Sequence, residues 1–280
     1  MSTVAIIGAG PLGGALARTL AGRARVGEVR LIDPEGRVAE GKALDILQSG
    51  PIDPSFNTRV TAATSYAAAA GADAIVLCDS VSGVEITGET GLALLRELGR
   101  METTAPVLFA GGLQRELMTR GIAELHLAPR RLLGSAPLGL ESAVRAVTAA
   151  LLDASPADLS IGVAGVPPRD AVIGWDSATA FNRPIAEVLA PHHLSALTSR
   201  LPALWPPQPY TLASAAARVA EALANGSRRR YTCFAAIDVA GAGRHMIAAV
   251  PVEIVEGGVG KALEPALSRH ERTAFENGLR

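Results

Sequence analysis

The stretch Val4-Ala5-Ile6-Ile7-Gly8-Ala9-Gly10-Pro11-Leu12-Gly13 decides how this 280-residue chain folds. Its first four residues are a short continuous apolar run, as expected of a parallel strand buried on both faces. The next six form a G-x-G-x-x-G turn. Beyond Pro11, Leu12, Leu16 and Leu20 recur at helical spacing and make one apolar stripe able to lie on a sheet. In a strand–turn–helix of this kind Gly8 permits the tight turn, Gly10 lets the backbone approach a pyrophosphate, and Gly13 lets the helix pack closely on the strand. The N–H groups at the helix start, around Pro11 and Leu12, then face the phosphates.

Working outward, Val29-Arg30-Leu31-Ile32 is a second strand and ends at Asp33, 20 residues beyond Gly13. A carboxylate there accepts hydrogen bonds from adenosine ribose hydroxyls and repels the extra phosphate of NADP, so NAD is the expected cofactor. Arg37 lies close enough to keep NADP open as the alternative. FAD, another adenosine ligand, or glycines that only shape a tight turn are the competing readings.

A helix is predicted over Val38–Gln48, and strands at Val60, Ala74–Leu77 and Val107–Phe109 with helices between them. Such alternation predicts an α/β fold, a Rossmann doubly wound parallel sheet. The second half reads differently. A helical segment over Leu140–Leu152 precedes two short strands, Ile161–Ala164 and Ala171–Ile173. A Pro-rich stretch from Leu201 to Pro209 leads into an Ala-rich helix over Thr211–Ala224. Strands at Tyr231–Ile237 and His245–Ile254 and a helix near Arg269–Asn277 follow. The expected division is an NAD-binding domain over 1–135 and an α+β C-terminal domain over 136–280.

Composition limits the function classes. Hydrophobic residues make up 49% of the chain, charged residues 19%, and the formal net charge is -1. That balance gives no electrostatic case for nucleic acid or an anionic membrane as partner. The dense basic cluster Arg228-Arg229-Arg230 follows Asn225-Gly226-Ser227 and reads as a solvated turn. Cys78 and Cys233 lie in apolar runs with neither disulfide nor metal-ligand spacing, which suits a reducing cytoplasm. No leader pattern and no run of about 20 apolar residues is present, so a cytoplasmic protein is expected.

The segments Asp33-Pro34-Glu35-Gly36 and Gly41-Lys42-Ala43-Leu44-Asp45-Ile46-Leu47-Gln48-Ser49 closely resemble the lactate/malate dehydrogenases, bacterial malate dehydrogenases above all. Ser65-Tyr66-Ala67-Ala68 with Gly71-Ala72-Asp73-Ala74-Ile75-Val76 resembles the family's entry into its fourth strand. Val250-Pro251-Val252 with Gly257-Gly258-Val259 resembles its closing hairpin, and Glu271-Arg272-Thr273-Ala274-Phe275 its last helix. The resemblance implies NAD(H), a homodimer or dimer of dimers that uses the Gly41–Gln48 helix, and hydride exchange with a 2-hydroxy acid.

That chemistry needs a His as proton acceptor, an Asp beside it, an Arg on a mobile loop and another Arg for the substrate carboxylate. The place of the His is held by Gly165-Val166-Pro167-Pro168-Arg169-Asp170. The Asp place is Glu141, and the Arg three positions on is Val144. The loop Asp79-Ser80-Val81-Ser82-Gly83-Val84-Glu85-Ile86-Thr87-Gly88-Glu89 has no basic residue, and the Asn-Pro after the fifth strand is Gly111-Gly112. No His occurs between His126 and His192, and no Arg or Lys between Arg59 and Arg96. A small anionic substrate would be left unpaired in the site, at a cost of several kcal/mol.

The replacement candidates are Glu141, Arg169 and Asp170, read either as a Glu141–Arg169 pair serving another polar substrate or as a structural ion pair. Glu85 and Glu89 suit a cationic or neutral substrate, or a solvated helix start. His192-His193 sits at a helix start and reads as surface rather than metal site, and Trp175 and Trp205 as core or interface. Asp79 and Ser80 replace the family's small cofactor-contacting turn, where Asp79 either weakens pyrophosphate binding or accepts a ribose hydroxyl bond. Three functions remain open: an oxidoreductase with a remodelled active site, a catalytically silent NAD-binding sensor or oligomer partner, and a structural protein without NAD.

Overall fold

The computed structural model describes residues 2–52, 55–101, 103–238 and 245–279. The opening apolar run forms β1 (Thr3–Ile7), buried at every position. Pro11 starts α1 (Pro11–Arg23), where its missing N–H costs nothing, and Leu12, Leu16 and Leu20 are buried on its inner face. Then come β2 (Glu28–Ile32), α2 (Gly36–Ser49), β3 (Arg59–Ala63), β4 (Ala74–Leu77), α3 (Gly88–Arg100), β5 (Val107–Phe109), α4 (Arg115–Leu125) and β6 (Leu132–Gly134).

These six strands are parallel and ordered β3-β2-β1-β4-β5-β6. The direction of winding reverses between β1 and β4, and a cleft opens beyond the carboxyl ends of strands at such a switch point. Register makes that cleft specific. Ile7 pairs with Ile32 on one side and Leu77 on the other. The strands therefore end level, and Gly8 lies between Asp33 and the Cys78-Asp79 turn.

The second half contributes α5 (Ala136–Leu151), β7 (Leu159–Ser160), β8 (Val163–Val166), β9 (Asp170–Ile173), β10 (Thr179–Ala180), β11 (Arg183–Pro184), α6 (Pro191–Arg200), α7 (Pro209–Ala224), β12 (Arg230–Asp238), β13 (His245–Val255), β14 (Gly258–Ala262) and α8 (Arg269–Gly278). The sheet runs on past β6. β12 joins it antiparallel through the pair Phe234–Gly134, and β13, β8 and β9 follow in that order. β7, β10 and β11 form a separate small sheet.

α5 begins at Ala136 rather than Leu140, because Pro137 is accommodated in its first turn and Gly139 packs beside Pro207. The Ala-rich α7 lies against α1, α5 and the sheet, its small side chains allowing close approach. One core unites the parallel sheet with α7, β12 and β13. A second gathers Leu140 and Val144 with Ile161, Ile173 and Leu197.

Candidate cofactor and substrate cleft

The glycine turn has the backbone a pyrophosphate needs. A methyl group at Gly13 would sit 1.9 Å from the Gly8 carbonyl oxygen, so the helix approaches the strand as closely as only glycine allows. Gly10 is the N-cap of α1 and supplies no side chain to cap it. The donors at this helix start would ordinarily await a ligand or a capping side chain. Here they meet Asp79. Its Oδ2 accepts from Leu12 N–H at 3.0 Å and its Oδ1 from Gly13 N–H at 2.9 Å, with the side chain buried. The Gly10 N–H donates to the Asp79 carbonyl oxygen at 3.1 Å. The space that the missing Gly10 side chain leaves is filled as well, since a methyl there would meet Asp79 Cγ at 2.4 Å and the Ser80 carbonyl oxygen at 2.2 Å. Lys42 donates from Nζ to the Ala9 and Gly10 carbonyl oxygens, bracing the turn.

On the other side of the turn, Asp33 is buried and accepts from Ala9 N–H at 2.7 Å and Glu35 N–H at 2.9 Å through different oxygens. Each carboxylate oxygen keeps a lone pair for a further donor. Asp33 lines a cavity of about 450 Å³ together with Pro34, Tyr66, Val81, Ile86 and Leu94. Burial first, then the Asp33 and Glu97 charges, push the Tyr66 phenol up, so Tyr66 remains a neutral hydroxyl. Arg37 is exposed on α2.

The segment after β4 is a tight hairpin. Ser80 N–H donates to the Val84 carbonyl oxygen, Gly83 N–H to that of Ser80, and Asp79 bridges to Glu85. Ser80 Oγ lies 2.8 Å from Ser82 Oγ. Glu85 reaches across to the loop after β5, accepting from Gly112 N–H at 2.9 Å and Leu113 N–H at 2.8 Å. A methyl on Gly111 would lie 2.1 Å from Glu85 Oε2, so the carboxylate occupies the room that glycine leaves. Burial raises the Glu85 pKa, the Leu113 and Gly112 N–H groups oppose that shift, and the Asp79 charge adds to it. Gln114, fully buried, ties both loops: its Oε1 accepts from Gly111 N–H and its Nε2 donates to the Cys78 and Ile86 carbonyl oxygens. Neither Gln114 nor the inward turn of Asp79 and Glu85 was expected. The only signal in the chain was the coincidence of acids in one loop with glycines in two others.

The three catalytic candidates do not converge. Glu141 accepts from Thr232 Oγ1 at 2.6 Å, and burial raises its pKa against that bond and the Arg145 charge. Arg169 and Asp170 are exposed in the β8–β9 hairpin. Among the described residues no ion pair joins Glu141 to Arg169; the groups at the Glu141 carboxylate are Thr232 on β12, the Val163 backbone and Arg145. Glu89 is exposed and pairs with Arg120 at 2.8 Å, in keeping with a solvated helix start. His192 and His193 are exposed at the start of α6, and no group of three or more metal-type ligands occurs among the described residues. Trp175 donates to Thr198 Oγ1, and Trp205 packs edge-on against Phe234.

A six-stranded parallel sheet of this order, with a glycine turn and an acid at the switch point, defines a Rossmann protein of the nucleotide-binding class. Residues 2–99 match the family described as lactate/malate dehydrogenase, NAD binding domain. The malate dehydrogenase of Roseobacter denitrificans is 28% identical over 304 residues, spanning 99% of this chain and 93% of that protein. The malate dehydrogenase structure from Salinibacter ruber superimposes with a TM-score of 0.87 at 21% identity, covering 99% of this chain and 93% of the other. The lactate dehydrogenase of Cryptosporidium parvum, complexed with lactic acid and NAD, gives 0.86 at 19% identity, covering 99% and 94%. Over its whole length this chain is similar to malate and lactate dehydrogenases, and over residues 2–99 it matches their NAD-binding domain.

The family's NAD fits only half of the cleft. The cavity beside Asp33 has the carboxylate and apolar walls for an adenosine. At the pyrophosphate position the donors already hold a carboxylate. A second anion about 4 Å from it would be repelled by roughly 4 kcal/mol per unit charge pair at an effective dielectric of 20.

Proposed function

We propose that this chain is a ligand-binding member of its family, acting as a sensor or oligomer partner, and that it does not exchange hydride with 2-hydroxy acids. The observation that carries this reading is Glu85 seated on the Gly112 and Leu113 N–H groups. A carboxylate stands there in a stretch without Arg or Lys from residue 60 to 95. A small carboxylate substrate would meet like charge and find no partner, at a cost of several kcal/mol. The proton acceptor is missing too, with Pro167 and Pro168 in the His region. The test is NAD-linked turnover of malate, lactate, oxaloacetate and pyruvate. Rates at background are expected. A kcat/KM of about 10⁴ M⁻¹s⁻¹ or more, the ordinary enzyme range, would sink the reading.

A second reading, an oxidoreductase with remodelled acid–base groups, is favoured by one observation. Glu141 has a pKa raised by burial and lines an open cavity of about 940 Å³ with Ser142, Arg145 and Tyr231. Oxidation of NADH by a panel of carbonyl compounds, lost in Glu141→Gln, would establish it.

The reading includes a functional division near residue 135, where β6 gives way to α5. It also includes a homodimer through the Gly41–Gln48 segment, on which Leu44 and Leu47 are exposed. A cytoplasmic setting suits the two free, buried cysteines. Among the described residues no helix is long and apolar enough to cross a membrane.

A further inference from the structure

We infer that Asp79 is a built-in replacement for a ligand's pyrophosphate, and that the cleft takes a phosphate-free adenine nucleoside instead of a dinucleotide. The inference rests on the binding-member reading above and names the class of ligand. Three observations carry it. The helix donors at the turn are taken, Leu12 N–H and Gly13 N–H each by one oxygen of Asp79. The volume that Gly10 leaves open is filled by Asp79 Cγ and the Ser80 carbonyl. The backbone holds this arrangement, because Gly10 N–H is bonded to the Asp79 carbonyl oxygen and the hairpin closes behind it from Ser80 to Val84. The cation at the turn, Lys42, has its ammonium on the Ala9 and Gly10 carbonyl oxygens and adds no open anion contact.

The nucleoside half of the cleft is intact. Its cavity of about 450 Å³ lies within the range of small-molecule sites. Ile7, Val81, Ile86 and Leu94 offer apolar surface to a flat base. Asp33 presents a carboxylate with free lone pairs, which suits the vicinal hydroxyls of a ribose. A ligand ending at the ribose 5′ carbon would stop short of Asp79. One that continues into phosphate would have to displace the carboxylate from two charge-assisted bonds.

The test is isothermal titration of the full-length protein with adenosine, NADH and inorganic pyrophosphate, on wild type, Asp79→Asn and Asp79→Ala. Wild type should bind adenosine at least about tenfold more tightly than NADH and give no heat with pyrophosphate. Asp79→Ala should gain about 100-fold or more for NADH while its adenosine affinity stays within about twofold. Asp79→Asn keeps one acceptor oxygen for the helix, serves where the alanine variant does not fold, and should show a smaller gain in the same direction. Wild type binding NADH as tightly as adenosine, or NADH affinity indifferent to position 79, overturns the inference. Silence toward adenosine in every variant overturns it equally. None of these outcomes touches the absence of 2-hydroxy-acid turnover, which the kinetic assay reads separately.

Discussion

Replacing Asp79 by alanine removes the cap of α1, and its cost follows from the bonds it makes. The carboxylate is 3% exposed and accepts from Leu12 N–H and Gly13 N–H, the second and third residues of the helix. A hydrogen bond to a charged group contributes about 1.5–3 kcal/mol, so the two sum to about 3–6 kcal/mol. Desolvating the carboxylate offsets part of that. Helix caps lost to alanine cost about 0.5–2 kcal/mol where the cap is exposed, and this one is buried. The expected net loss is about 2–4 kcal/mol, measured by urea unfolding of both proteins at pH 7. The vacated helix start should then take an anion. At 100 times its dissociation constant, pyrophosphate would return about 2.7 kcal/mol to the variant and nothing to wild type. Equal stability of the two proteins within about 0.5 kcal/mol, or an equal response to pyrophosphate, would refute the capping argument.

Three further outcomes follow from the same structure. Gly13→Ala places a methyl 1.9 Å from the Gly8 carbonyl oxygen, against an ordinary contact of about 3.5 Å. It should cost at least about 3 kcal/mol or prevent folding, whereas Gly41→Ala, where a methyl meets nothing within 4 Å, should be neutral or stabilising in the same urea series. Burial raises Glu141 above its ordinary 4.5, so the folded protein holds that proton more tightly than the unfolded chain. Stability relative to Glu141→Gln should therefore fall as pH rises from about 4.5 through the raised value and level off beyond it; a difference independent of pH would contradict this. Burial also pushes the thiols of Cys78 and Cys233 up, with Asp79 and Glu141 respectively as the leading charges behind it. Both should be silent to a thiol reagent in the native protein and both should react in denaturant.

The parallel half of the fold was legible because its strands are buried on both faces and read as continuous apolar runs between Gly, Pro and acid punctuation. The two-residue strands β7, β10 and β11 are too short to show any period, and they were not foreseen. Asp33 and the glycines announced their cleft through spacing along the chain. The partners of Asp79 are 67 and 66 residues away in sequence, and those of Glu85 27 and 28. No local pattern says which way such a side chain turns once β1, β4 and β5 lie side by side. Glu141 and Arg169 were expected to face one another by analogy of position, but that expectation took no account of Thr232, which arrives from β12.

The glycine at the start of α1 ties the stability of that helix to whatever occupies its first turn. With a bare N-cap, such a helix relies on a bound phosphate for its full stability, and losing the ligand weakens the apoprotein. An aspartate that closes the helix from the neighbouring strand removes this dependence. Mutations that erode ligand contacts then leave this helix start capped, while replacing the aspartate does not. A change that empties position 79 therefore passes through a valley of lower stability before any bound anion could restore the helix start.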